Sequence, residues 1–585
     1  MSIKHVAKIR NSNLDVDNTL PSSKQSCEDV VNISIFFDGT GNNLANDEKI
    51  AKLANPAKLW RNASSYAQYE EEKNNLNIPI SHPIYVSGVG TPFNGDPSNW
   101  VDKQIAKAQD TFPTGGATGW GGARRLEYGE DQINSHLSSV LKQKIEKVEA
   151  TLKPQVEQRK IEATAKMDAN LSQHRLIKKI NLSIFGFSRG AALARVFSNE
   201  MIWNAETEDL SLKYDLAGQS EKTPMDIQFL GLFDTVASFG LPATNLPNKL
   251  SFRGRDMVVD PRVKNCLHLI AGNELRFSFP VDLIRKDGKL ANSRAWKEVV
   301  YPGMHSDVGG GYQPDSQKVS NNFARIPLKH MLGSAVSANV KMFDYLNLEK
   351  EEIKIFEQEF KIEEKTQKLF DAVQQEVGTT TGNAETDIQN IMKVYYGAYG
   401  TLHRRREQFL KEGNIEQADA SRSVSQIARD ASFGLPTGPA DMATEVKRVK
   451  WTKNYTTFDQ SNVTGIKHIF RVFYPAFKLY EMLVDIDDWE LASWEKDVSE
   501  DTVDFYSSYI HDSKYGFVSN VEPFSYFRKR TVYEPNRSWK GRRVDKKLAP
   551  IHEQIAVDNV ELDLKEAVEK LRFNDDLSDR LNTEC

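Results

Sequence analysis

A glycine-flanked serine is the residue in this chain best placed to act as a nucleophile. The stretch GFSRG at positions 186–190 has the pattern Gly-x-Ser-x-Gly, whose small flanking residues allow a sharp turn that exposes the hydroxyl. An apolar run, Ile180 to Phe185, precedes it and an alanine-rich stretch follows it, which predicts strand, tight turn and helix in succession. We therefore predict Ser188 as a catalytic nucleophile. The alternative is a structural turn that happens to contain a serine.

A serine hydroxyl needs a base that accepts its proton and an acid that orients this base. In α/β-hydrolases these residues follow in the order serine, acid, histidine, each at the carboxyl end of a later strand. Asp234 in GLFDTV and His305 in GMHSDVGGGY have this order and these positions. They are the predicted acid and base.

Each of these two predictions has an alternative in the sequence. Asp234 precedes a threonine and could instead cap a helix or close a strand-end turn. His511, in YIHDSKYGF, also lies in a turn-like setting and is the reserve candidate for the base. Asp307 is a possible accessory residue that could orient the histidine or bind a cation.

Acyl transfer also requires N–H donors directed at the tetrahedral oxyanion. One donor usually follows the nucleophile, which here is Arg189, and the other comes from an earlier strand-end loop. Gly39 and Thr40 are predicted for that loop because its glycines permit close backbone approach, and Asp38 is a possible accessory. The alternative is a conformationally demanding turn without a catalytic role.

Apolar runs that end at glycines or acidic residues predict the strands that position these side chains. They are the run before Ser188, PIYVSGVGT, AWKEVVYPGM, VVNISIFFD (Val30 to Asp38) and DIQFLGLFD (Asp226 to Asp234). A glycine-rich loop leads into a long amphipathic helical pattern before the nucleophile motif. Because strands alternate with helices, the predicted fold class is α/β, an α/β-hydrolase-like, mostly parallel sheet flanked by helices, with an additional largely helical region.

The length of 585 residues predicts more than one packed region. We expect a polar leader at 1–29 and a catalytic core at 30–330. Charged helical patterns without intervening strands predict a helical region at 331–500, a possible membrane-contacting or cap module. Residues 501–585 are expected to return to the core and end in a basic tail.

Composition excludes several classes of protein. With 76 basic and 81 acidic residues the formal net charge is −5, which argues against a nucleic-acid partner. Cys27, Cys266 and Cys585 lack metal-ligand spacing and a disulfide pattern, so we expect no metal, no cofactor and synthesis in a reducing compartment. The first residues contain no uninterrupted apolar stretch of the kind that a secretory signal requires.

Two segments could contact lipid. The hydrophobic stretch Ile466 to Val484 is too rich in charge to span a bilayer, but its aromatic and basic part, Ile466 to Tyr480, could lie in the interface; the alternative is a place in the core. The stretch Phe527 to Lys547 holds nine basic and two acidic residues, which could contact anionic head groups or form a solvated face.

Taken together, six motifs resemble the first group of type VI secretion lipase effectors, antibacterial phospholipases with an α/β-hydrolase core. The motifs are FFDGTGNN, YVSGVGT, GFSRGAA, GLFDTV, HSDVGGGY and YIHDS, which span residues 31 to 315 and return near 509. The resemblance implies hydrolysis of glycerophospholipid acyl esters of phospholipase A1 or A2 type. In it Ser188, Asp234 and His305 match the positions of the family's catalytic triad.

The resemblance also implies a route of delivery. Members of this group are made in the cytoplasm without a signal peptide, carried on a secretion spike protein and act on the target-cell membrane from the periplasm. A cognate immunity protein neutralises them. Two alternatives stay open: a carboxylesterase acting on soluble esters, and a non-catalytic hydrolase-fold interaction protein that docks on the spike.

Overall fold

The computed structural model of the chain describes most of the predicted core. The described residues are 29–74, 81–91, 122–156, 177–203, 224–237, 257–276, 279–351, 353–421, 442–447, 450, 486–514 and 526–534. The predicted leader before residue 29, the stretch Ile466 to Val484 and the basic residues beyond 534 lie outside them.

Six parallel strands form the central sheet, in the order β2-β1-β3-β4-β5-β7. The predicted α/β class is confirmed. A separate parallel pair, β6 with β8, joins residues 281–282 to residues 532–533. The strands are β1 Asp29–Phe37, β2 Ser81–Val86, β3 Ile177–Phe187, β4 Met225–Phe233, β5 Cys266–Ala271, β6 Val281–Asp282, β7 Trp296–Tyr301 and β8 Val532–Tyr533.

The strand register brings the predicted site residues to one edge of the sheet. Phe37 at the end of β1 pairs with Gly186 in β3, and Phe187 at the end of β3 pairs with Phe233 in β4. The residues that follow these strand ends therefore emerge side by side. This is the carboxyl edge of the sheet, where ligands bind in open α/β folds.

Helices cover the sheet and extend beyond it. They are α1 Leu44–Asp47, α2 Asn55–Asn74, α3 Gly122–Val156, α4 Arg189–Trp203, α5 His305–Gly309, α6 Arg325–Ser337, α7 Tyr345–Lys350, α8 Glu364–Val377, α9 Ala384–Lys411, α10 Ile415–Ala420, α11 Asp488–Glu495 and α12 Glu500–Tyr509. Short 3-10 turns occupy Glu48–Ile50, Ser316–Lys318 and Asn321–Ala324, and a π turn occupies Phe356–Phe360. Within the described part of the chain, no helix has both the length and the apolar character needed to cross a membrane.

Alternate strand residues pack into two apolar clusters, one on each face of the sheet. Ile35 and Ile184 contribute to a cluster with α3 and α4. Phe36 and Phe185, whose rings stack with centroids 4.8 Å apart, contribute to a second cluster that continues into the later helices. Because α6 spans residue 330 and belongs to this second cluster, the division of the chain at 330 stays a prediction.

The charged stretch before α8, in the predicted helical region, is interrupted at residues 361–363. A π turn ends at Phe360 and α8 begins at Glu364. The carbonyl of Lys361 accepts hydrogen bonds from Asn322 and Arg325 instead of from a residue further along a helix. The N–H of Glu363 donates to the Asn322 side chain. Tertiary hydrogen bonds therefore replace the helical ones at this point.

Candidate active site

The predicted nucleophile stands in a strained turn between β3 and α4. Ser188 has a φ of 58°, a left-handed value that a residue other than glycine adopts at a cost. A Cβ on Gly186 would lie 2.4 Å from the carbonyl oxygen of Gly190, and a Cβ on Gly190 would lie 2.3 Å from that of Asp38. Both flanking glycines are therefore sterically required. The Ser188 N–H donates to the carbonyl of Phe233 at 3.0 Å, which fixes the turn against the end of β4.

Asp234 and His305 are in direct contact. The Nδ1 of His305 lies 2.5 Å from Oδ2 of Asp234. Since a carboxylate accepts the Nδ1–H, the other ring nitrogen, Nε2, is left as the basic one. Asp234 itself, at the end of β4, has a φ of 43° and both of its oxygens are buried. This contact is the arrangement that general-base catalysis by a histidine requires.

The ring of His305 also lies beside the nucleophile turn. Its centroid is 4.6 Å from that of Phe187, the residue that precedes Ser188. Within the described residues, no hydrogen bond joins the Ser188 hydroxyl to the imidazole. Catalytic hydrogen bonds of this kind are commonly loose before a substrate binds.

Sequence reasoning missed Arg530, which binds the carboxylate of Asp234. Its Nη1 lies 2.5 Å from Oδ1 of Asp234 and its Nη2 lies 2.8 Å from Oδ2, so the guanidinium binds both carboxylate oxygens. The Ala271 N–H donates to the same Oδ1 at 2.9 Å. Burial alone would raise the pKa of Asp234, but Arg530 and then His305 outweigh it and hold that pKa below its usual range.

The position of Arg530 also corrects one interpretation of the basic stretch Phe527 to Lys547. Arg528 and Arg530 are buried, so these two residues belong neither to a solvated face nor to a surface for head groups. The only signal in the sequence was the charge of this stretch, which is more typical of a surface. The residues of the stretch beyond 534 lie outside the described chain.

A second carboxylate positions the backbone of the base. Glu274 accepts the N–H of His305 at 3.1 Å and forms a two-bond ion pair with Arg276. Burial would raise the pKa of Glu274, but Arg276 outweighs it and lowers this pKa to about 2. Arg276 also lies over the ring of Phe279, and the rings of Phe279 and His305 meet at 73° with their centroids 5.0 Å apart.

Burial lowers the pKa of His305, and the contact with Asp234 acts in the opposite direction without cancelling it. The imidazole therefore stays neutral, and able to accept a proton, to a lower pH than an exposed histidine would.

Asp307 and His511 form a separate acid–histidine pair. The Nδ1 of His511 lies 2.7 Å from Oδ1 of Asp307, and Oδ2 of Asp307 accepts the N–H of Met304 and of His511. Asp307 thus closes the first turn of α5 and holds His511, and no hydrogen bond joins its carboxylate to the ring of His305. The ring of His511 stacks on Tyr312, and its Nε2 is buried without a hydrogen bond to any described residue. Among the described residues, no hydrogen bond joins His511 to Ser188.

The predicted oxyanion residues lie together, but they differ in what their groups bind. The Gly39 N–H donates to Oδ1 of Asp38 at 2.8 Å, whereas no described acceptor binds the Thr40 N–H. The Nε of Arg189 donates to Oγ1 of Thr40 at 2.5 Å, which ties this loop to the nucleophile turn. Arg189 is the first residue of α4, and the N-terminus of a helix is its electropositive end.

Asp38 directly precedes Gly39 and Thr40 in the chain. Its Oδ2 accepts the hydroxyl of Tyr85 at 2.6 Å. Burial raises the pKa of Asp38 to about 7, although the hydrogen bonds from Tyr85 and Gly39 oppose this rise. The carboxyl group is therefore protonated in a substantial share of molecules at neutral pH, which limits negative charge close to the predicted oxyanion donors.

Residues 203–334 match the family model described as T6SS, phospholipase effector Tle1-like, catalytic domain. The predicted resemblance to type VI secretion phospholipase effectors is thereby confirmed. The Tle1-like segment includes Asp234 and His305, begins after Ser188 and ends before Arg530. Comparison with curated proteins finds no match.

Two solved structures extend the comparison. A crystal structure of an uncharacterized protein from Pseudomonas aeruginosa is similar with a TM-score of 0.50 and 21% identity, over 87% of this chain and 80% of that one. This likeness concerns the fold. A structure of the Tle1 effector bound to the VgrG spike of the type 6 secretion system has a TM-score of 0.34 and 19% identity, over 65% of this chain and 88% of that one.

Gly190→Ala should abolish ester hydrolysis. The added Cβ would lie within 2.5 Å of two backbone oxygens at the end of β1, so the turn that holds Ser188 has to move away from the sheet. We expect turnover of a chromogenic ester to fall by at least about 100-fold, because displacements of about 1 Å have that effect.

Gly333→Ala is the matched control, because Gly333 is exposed in α6 and a Cβ there meets no atom within 4 Å. It should keep wild-type turnover. Equal turnover by the two variants would show that the close approach at Gly190 has no catalytic importance.

Proposed function

We propose that the chain is a serine-dependent phospholipase of the A1 or A2 type that hydrolyses acyl esters of glycerophospholipids. The observation that carries this proposal is the 2.5 Å contact between Asp234 and His305, beside the strained turn that presents Ser188. An acid–base pair in this position has an evident use only if the neighbouring hydroxyl is a nucleophile.

In the proposed reaction the Oγ of Ser188 attacks the ester carbonyl while Nε2 of His305 accepts its proton. Asp234 holds Nδ1 and stabilises the positive charge that develops on the imidazole. The tetrahedral oxyanion is bound by the N–H groups of Arg189 and Thr40. A contribution from Gly39 would require its N–H to leave the carboxylate of Asp38.

Collapse of this intermediate breaks the ester bond. His305 returns the proton to the leaving alcohol oxygen, so that a lysophospholipid departs and the acyl group stays on Ser188. Water then attacks the acyl-enzyme, with His305 again accepting a proton, and a fatty acid is released. The serine hydroxyl and the neutral imidazole are restored.

The preference for phospholipid over a soluble ester is supported by the match of residues 203–334 to a phospholipase effector domain. The same match supports the proposal that the chain is a secreted antibacterial effector. In that proposal it leaves the producing cell on a spike protein, acts on the target-cell membrane from the periplasm and is neutralised by an immunity protein.

Ser188→Ala should abolish the release of fatty acid from phospholipid vesicles. Without the nucleophile we expect hydrolysis to fall by at least about 1000-fold, while the circular dichroism spectrum stays unchanged. Vesicles whose phospholipid is labelled separately in each acyl chain would report the substrate class and the position that is cut. Ser183→Ala is the matched control, because Ser183 is a buried serine of β3 outside the site.

Retained hydrolysis by Ser188→Ala would refute the proposal. Hydrolysis of short soluble esters without any release from vesicles would favour the carboxylesterase. A fluorophosphonate probe separates the third alternative, since only an activated serine reacts: labelling of the wild type and not of Ser188→Ala excludes a non-catalytic interaction protein.

His305→Ala and His511→Ala should differ strongly in turnover. We expect His305→Ala to lose at least about 1000-fold, since it removes the group bound to Asp234. His511→Ala removes a ring that is bound to Asp307, and we expect it to stay within about 10-fold of the wild type. The measurement is turnover of the same vesicles at pH 7. The reverse order of activities would assign the base to His511.

A further inference from the structure

Arg530 belongs to a segment far along the chain from the other residues of the site. Its guanidinium uses three nitrogens on four acceptors: both oxygens of Asp234, the carbonyl of Ala271 at 2.8 Å and the carbonyl of Phe279 at 2.9 Å. The side chain is 1% exposed. These four buried hydrogen bonds define one position for the guanidinium and, through it, one for the carboxylate.

Backbone pairing places the segment independently of this ion pair. The Val281 N–H donates to the carbonyl of Thr531 at 3.0 Å, and the Leu283 N–H donates to that of Tyr533 at 2.7 Å. The pairing of β6 with β8 thereby holds the chain directly after Arg530. This pairing fixes the backbone next to Arg530 and so places its side chain at Asp234.

Arg530 and His305 share one carboxylate oxygen of Asp234. Oδ2 of Asp234 accepts both Nη2 of Arg530 and Nδ1 of His305. A guanidinium keeps its charge at every pH of interest, so it always neutralises part of Asp234 and disfavours a second positive charge on the imidazole. The other charged groups near His305 are Glu274, which favours that charge, and Arg276, which opposes it.

We propose that Arg530 is a positioning residue of the active site, which fixes the plane of the Asp234 carboxylate and limits how strongly His305 holds the proton taken from Ser188. This inference rests on the proposed function. It places Arg530 in the active site, although the match to the effector domain ends at residue 334.

Charge and geometry can be separated with two substitutions. In Arg530→Gln the charge is lost, so His305 should hold its proton more tightly, and the acidic limb of kcat/KM against pH should move up by about 1 pH unit. In Arg530→Lys the charge stays but a single ammonium cannot bind both oxygens in a fork. Its acidic limb should stay at the wild-type pH, while kcat falls by about 10-fold or more.

Arg528→Gln is the matched control. Arg528 is buried in the same segment, and none of the hydrogen bonds of Asp234 goes to it. The variant should keep the wild-type acidic limb even if its melting temperature falls. The measurements are kcat and kcat/KM of a soluble chromogenic ester between pH 4 and 9, on full-length chains whose melting temperatures are recorded.

An acidic limb of Arg530→Gln that coincides with that of the wild type would overturn the inference, whatever its kcat. If Arg530→Gln fails to fold, Arg530→Lys decides: a lower kcat with an unmoved limb supports the inference, and wild-type kcat overturns it. Ser188→Ala is measured alongside. Full activity in Ser188→Ala refutes the proposed function itself, whereas an inactive Ser188→Ala with an unmoved Arg530→Gln limb refutes only the role of Arg530.

Discussion

The buried carboxylate of Asp234 is the group on which the arrangement of the site depends. It accepts hydrogen bonds from the backbone of Ala271, the ring of His305 and the guanidinium of Arg530. A buried charge is tolerated only with such partners, and removing one partner of a buried ion pair costs about 3–5 kcal/mol. Strands β4 and β5, helix α5 and the segment before β8 are therefore all held at one point.

Parallel pairing explains why so few residues are enough to build the site. The registers of β1, β3 and β4 end at the same edge, so Asp38, Ser188 and Asp234 follow neighbouring strand ends. Ser188 and Asp234 both have positive φ values, which are costly for residues with a Cβ. The hydrogen bond from the Ser188 N–H to the carbonyl of Phe233 joins these two turns. The strained backbone therefore lies at the two positions that orient the proposed nucleophile and acid.

Much of this arrangement could be predicted from local sequence. The glycines around Ser188 carry a steric requirement that is visible in the motif, and the strand-ending positions of Asp234 and His305 follow from chain order in a parallel sheet. Strand β5 was missed because CLHLIA is short and wholly buried, without the alternation that marks a half-buried strand.

The long-range contacts could not be predicted in the same way. Arg530 lies 296 positions from Asp234, in a stretch whose charge is typical of a surface. Asp307 and His511 were each recognisable as accessory residues, but their pairing across 204 positions depends on how the chain after α12 packs against α5. Such contacts are set by tertiary packing, which leaves no periodic pattern in the sequence.

A crystal structure of the chain after reaction with a fluorophosphonate would test the central claim most directly. The account predicts phosphorus bonded to the Oγ of Ser188, its oxygen facing the N–H groups of Arg189 and Thr40, and Nε2 of His305 within hydrogen-bonding distance of the adduct. An adduct on another residue, or an imidazole of His305 directed away from Ser188, would contradict it.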